Sequence, residues 1–177
     1  MTDMKIFPLF MILIAVLLRL MPHPANVAPI TAIALFSGVY LPKRFAFILP
    51  IVALLISDYF IGFYGFEMIF VYGSFLISGL IGLWVRSHKG YLGVLGGALL
   101  ASILFYLITN FGVWADPRSW YSKDIAGLFN CYIAAIPFFR NTLLGDLFYT
   151  GLFFGGYELM KNLAKKYLPK SFIKTAF

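Results

Sequence analysis

The sequence predicts an all-α integral membrane protein of six transmembrane helices, with a short re-entrant or interfacial helix before the last span and both termini in the cytoplasm. Three observations carry this. Hydrophobic residues make up 62% of the 177 residues and charged residues only 12%, more apolar surface than a soluble chain of this length can hide inside itself. The apolar residues fall into runs close to the roughly 20 residues that a membrane-crossing helix needs. Lys and Arg, which give a formal charge of +7, lie between and after those runs and collect on alternate connections, as the positive-inside rule requires.

The six runs are residues 6–20, 25–41, 45–64, 68–85, 91–114 and 141–160. The first two are short, so each can tilt little, and Arg19 near the end of the first is expected to snorkel to the interface. Lys5 ahead of the first run resembles the start of a signal peptide. Ala25 and Ala28 fit the A-x-A cleavage pattern poorly, so the run is read as a span. Lys5, Lys43, Arg44, Arg86, Lys89, Lys161, Lys165, Lys166, Lys170 and Lys174 sort to one side, and Arg19, Arg118 and Lys123 to the other. That places loops 21–26, 65–67 and 115–130 outside and both termini inside, the topology of a multi-pass protein.

Residues 125–139 are too short to span and carry Pro137, so they are read as the re-entrant or interfacial helix, broken at that proline. Gly93, Gly97 and Ala101 form one small-residue face and Gly151 with Gly155 another, both expected to pack closely on neighbouring helices. The whole chain, 1–177, reads as a single transmembrane domain.

Composition also excludes function classes. The basic residues form no stripe on a soluble face, so no nucleic-acid partner is expected. One cysteine, Cys131, excludes an internal disulfide and is too few ligands for a structural zinc site. No metal and no cofactor is expected. There is no G-x-x-x-x-G-K-[ST] motif, so no P-loop ATPase resides in this chain.

Polar groups inside apolar runs are the candidates for function, because hydrocarbon tolerates them only against protein, water or a ligand. The stretch 136–149, IPFFRNTLLGDLFY, carries Arg140, Asn141, Thr142, Asp146 and Tyr149. Thr142, Asp146, Tyr149 and Thr150 recur at helical spacing and share a face. In the fifth run Ser102, Tyr106, Asn110 and Trp114 recur every four residues. At about 1.5 Å per residue, Asp58 and Asp146 lie at a similar depth in the outer half. His23 and Asn26 in the first outer loop, with Trp120 and Asn130 in the long connection, complete the set. Together these groups fit a small-molecule pocket with apolar walls and a few orienting polar groups. Each also has a structural reading: Asp58 or Asp146 tied to Arg140, Asn141 as a helix cap, Trp114 and Trp120 in an interfacial belt, His23 as a loop contact.

The blocks RLMPHPANVAPITAIALFSG, SDYFIGFY, LITNFGVW and CYIAAIPFFRNTLLGDLFY resemble a family of uncharacterised small bacterial membrane proteins. That family in turn resembles the substrate-binding S components of energy-coupling factor (ECF) transporters. The resemblance covers residues 19–156 and implies a six-helix protein of the bacterial cytoplasmic (inner) membrane that captures a vitamin or similar micronutrient from outside. It also implies docking on a transmembrane coupling protein with two ATPases. S components carry A-x-x-x-A on the first helix for that docking; here the first run has Ala15 alone, and Ala28 and Ala32 supply the spacing in the second.

The reading is therefore a substrate-binding protein in the lipid bilayer, not an enzyme. Two alternatives remain: a structural or assembly protein without ligand, or an intramembrane enzyme using Asp58 and Asp146. The latter lacks G-x-G-D, having LLGD instead, and also lacks H-E-x-x-H and a serine nucleophile motif.

Overall fold

The computed structural model describes residues 3–22, 24, 26–88 and 90–167. These form six α-helices in the order α1 (Asp3–Leu20), α2 (Ile30–Tyr40), α3 (Phe45–Ile61), α4 (Glu67–Val85), α5 (Tyr91–Ala115) and α6 (Ile125–Tyr167). No strand occurs among the described residues.

The helices do not reproduce six full spans. Among the described residues, α4 with 19 residues and α5 with 25 are the two helices long and apolar enough to cross a membrane. The run 25–41 shrinks to the 11 residues of α2, about 17 Å at 1.5 Å per residue, against a hydrocarbon core of about 30 Å. A proline explains the loss. Pro29 disfavours helical geometry at Ala28, so the apolar stretch ahead of Ile30 becomes connection.

A second departure concerns α6, one continuous helix of 43 residues through Pro137, about 65 Å long. The expected separate helix over 125–139 does not exist. Pro137 removes one backbone donor, but contacts on both sides of it hold the helix against α5. Tyr106 donates to the Tyr132 carbonyl at 2.6 Å, Tyr132 donates to the Leu107 carbonyl at 2.8 Å, and Ser102 donates to Asp146 at 2.7 Å.

Short α2 is the centre of the bundle. Every residue from Ile30 to Val39 is buried, and its most extensive partner is α4. The approach is close because it runs through glycine: a Cβ on Gly38 would stand 2.7 Å from the Gly82 backbone, and one on Gly82 would stand 2.6 Å from the Leu35 carbonyl oxygen. Pro50 in α3 has no N–H for the carbonyl of Ala46, and that oxygen occupies the space a Cβ on Gly79 would need. The end of α2 is closed from α4's side by Arg86, which donates to the carbonyls of Val39, at 3.0 Å, and Leu41.

The glycine faces divide differently from the expectation. Gly97 packs on Val85, but a Cβ on Gly93 would meet first the backbone and Cβ of His88, close by in the chain, and one on Gly151 or Gly155 would meet nothing within 4 Å. Spacing identified small residues, yet it carries no information about which side of α6 has a neighbour.

Apolar side chains also cover the outside. Along α5, Leu95, Leu99, Ile103, Leu107 and Phe111 form an exposed stripe at four-residue spacing, the surface expected of a helix solvated by lipid and costly in water.

Candidate functional site

Two adjoining cavities lie at the end of the bundle where α1 finishes and α2 begins. The larger, about 410 Å³, is walled by α5 and α6 and includes Phe105, Tyr106, Asn110, Cys131, Phe139 and Thr142. The smaller, about 290 Å³, reaches into the centre and includes Arg19, Thr31, Tyr64, Phe75 and Asp146. Asn26, Val71, Phe105 and Thr142 line both. Asn26 reaches this position from the α1–α2 connection with φ of 64°, a left-handed conformation that asparagine tolerates better than most residues.

The smaller cavity contains the most consequential polar chemistry. Arg19 does not snorkel outward. Its guanidinium turns into the bundle, 15% exposed, and pairs at 2.6 Å with Asp58, which is 0% exposed. Ser57 accepts a further hydrogen bond from Arg19, and Tyr72 donates to the other Asp58 oxygen at 2.7 Å. Tyr64 also bonds Arg19. Asp58 therefore binds no cavity directly; it holds Arg19, which does. The partner anticipated for Asp58, Arg140, is exposed on α6 instead.

Asp146 is 2% exposed. Its partners are hydroxyls: Ser102 from α5 at 2.7 Å and Thr31 from α2. Ser102 also bonds back to the Ala98 carbonyl at 3.0 Å, so α5 presents it in a fixed direction. Thr142, one turn before Asp146, donates to the Phe138 carbonyl at 3.0 Å and faces both cavities.

Of the residues singled out in the sequence, Tyr106, Asn110, Thr142, Asp146 and Asn26 line the cavities. Trp120 is fully exposed, and Asn130 and Arg140 are exposed as well. Asn141 and Tyr149 are half-buried and line neither cavity. His23 lies outside the described residues. Trp114 turns toward the loop, donating to the Ser122 carbonyl at 2.9 Å. The sequence reading missed Arg19, Thr31 and Tyr64 as cavity residues. The signal was there for Arg19, a cation inside an apolar run with a carboxylate in another.

Loop 116–124 is built by its own charges. Lys123 donates to the carbonyls of Trp114 and Asp116, closing the end of α5, and Asp124 accepts the Gly127 N–H at 2.7 Å to start α6. Hydrogen bonds from Arg118, at 2.8 Å from its Nη2, hold the Asp116 carboxyl down to about 2. A depressed carboxyl contributes order that is fully present above its ordinary range near 3.8 and lost as pH falls through about 2. Tryptophan emission from this loop should accordingly shift on acidification between those values. In Arg118→Gln the shift should move up to the ordinary carboxylate range.

An all-helical bundle with a polar-lined double cavity at one end is the class that fold and site define. The chain belongs to the Family of unknown function (DUF6580), which it matches over residues 2–170. No curated protein and no solved structure matches it.

Proposed function

We propose that this chain is a multi-pass membrane protein that binds a small organic nutrient for uptake, in the manner of an S component. The observation that carries the reading is the asymmetry of the bundle. Polar-lined cavities occupy one end, whereas the other is sealed by Phe36, Tyr40, Phe153, Phe154 and Tyr157, with ring centroids from 4.2 to 6.3 Å apart. Tyr40 latches that seal by donating to Glu158 at 3.1 Å. Cavities of 410 and 290 Å³ suit a vitamin-sized compound, near the lower end of the roughly 300–1,000 Å³ of small-molecule sites.

In this reading the sealed end and both termini lie in the bacterial cytoplasm and the cavities outside, an orientation that the distribution of Lys and Arg supports. In this arrangement α2 is a half-length helix without a lipid face, and the surrounding helices meet the bilayer. Energy for release inside comes from a partner, such as a transmembrane coupling protein with two ATPases.

The test is native mass spectrometry of protein extracted gently from membranes. The expected result is a retained small molecule, lost or at least about tenfold weaker in an Asn110→Leu/Thr142→Val variant, which removes two polar contacts from the cavities. Protein without ligand and with a stoichiometric helical partner would instead favour an assembly role. The open Gly151 and Gly155 face of α6 is the observation behind that second reading.

A further inference from the structure

Among the described residues, acidic and basic groups are unequal in number around the cavities. Arg19 and Asp146 are the charged residues in the two linings. Arg19 is neutralised by Asp58, its partner at 2.6 Å. Asp146, buried on α6, has the neutral hydroxyls of Ser102 and Thr31 as its partners. The aromatic groups nearby, Tyr64, Phe75 and Phe105, bring no cation. Among the described residues the smaller cavity therefore holds one carboxyl group more than its cations, and an ionised carboxylate there is expensive until a cation meets it.

We propose that the ligand is a small organic cation, with Asp146 as its counter-ion. This rests on the reading of the cavities as a ligand site and names the chemistry of what enters. A protonated amine, amidine or ring nitrogen would donate to the Asp146 oxygens, with Thr142 positioned one turn above. The rest of the ligand would be flat and apolar. The connected larger cavity offers Phe105, Tyr106 and Phe139 for such a body, Tyr106 and Phe139 with centroids 4.7 Å apart, and aromatic faces also favour a nearby cation.

The experiment compares three probes of one shape by equilibrium dialysis against the full chain, purified in detergent at neutral pH: 2-phenylethylammonium, 2-phenylethanol and phenylacetate. The cation should bind at least about tenfold more tightly than either other probe. In Asp146→Asn its affinity should fall by about 30-fold or more, the effect of removing one partner of a buried charge pair, and Asp146→Glu should retain the preference. The probe comparison on the unaltered protein stands even if a variant fails to fold. Preference for the neutral or anionic probe, or undiminished cation binding by folded Asp146→Asn, overturns the charge assignment and leaves the ligand site standing. Retention of none of the three overturns both.

Discussion

Asp58→Ala will be among the most damaging single substitutions in this protein. Asp58 is fully buried, and the guanidinium of Arg19 is held against it with 15% exposure. Removing one partner of a buried pair leaves an uncompensated charge, at a typical cost of about 3–5 kcal/mol. Tyr72 would also lose the acceptor of its 2.7 Å hydrogen bond. The unfolding midpoint in a denaturant titration of purified protein should fall accordingly. In Arg19→Met/Asp58→Leu much of the loss should be recovered, because an apolar pair of similar volume has no charge to desolvate. Equal destabilisation by the single and the double substitution would show that packing, not charge, dominates at this position.

Gly82→Leu should be worse still, with little folded protein recovered from membranes. A Cβ at position 82 would lie 2.6 Å from the Leu35 carbonyl oxygen and 2.9 Å from its Cα. These are backbone atoms of the central helix and cannot swing aside as a side-chain tip can. Overpacking a core ordinarily costs about 1–3 kcal/mol; here the whole α2–α4 crossing would have to separate. Gly151→Leu is the control, since nothing lies within 4 Å of a Cβ there, and it should leave folded yield unchanged. Comparison of monodisperse yield by size-exclusion chromatography decides the matter. Equal recovery of the two leucine variants would mean that α2 and α4 can part without loss.

The two substitutions also mark what could be read from the chain. For Arg19 and Asp58 the sequence showed two opposite charges in apolar runs 39 positions apart, which alone calls for partners. Assigning Asp58 to Arg140 was a choice among cations that only helix orientation could decide, and α6 turns Arg140 outward. For glycine, the small-residue spacing was visible at 93/97 and 151/155, whereas the α2–α4 crossing uses Gly38 and Gly82 on different helices. No periodicity within one helix discloses such a pair.

Composition and periodicity by themselves determined that this is an all-helical chain with an apolar exterior, and that Thr142 and Asp146 share a helix face. Both follow from local physics: a 3.6-residue repeat and the cost of polar groups in an apolar medium. Tertiary structure decided that α2 is a short buried core instead of a full span, that α6 runs unbroken through Pro137, and that, among the described residues, Asp146 meets hydroxyls while Arg19 is taken by Asp58. These depend on which helices lie side by side, and the stretch IPFFRNTLLGDLFY could not reveal that Ser102 and Thr31, from two other helices, are the groups that meet its carboxylate.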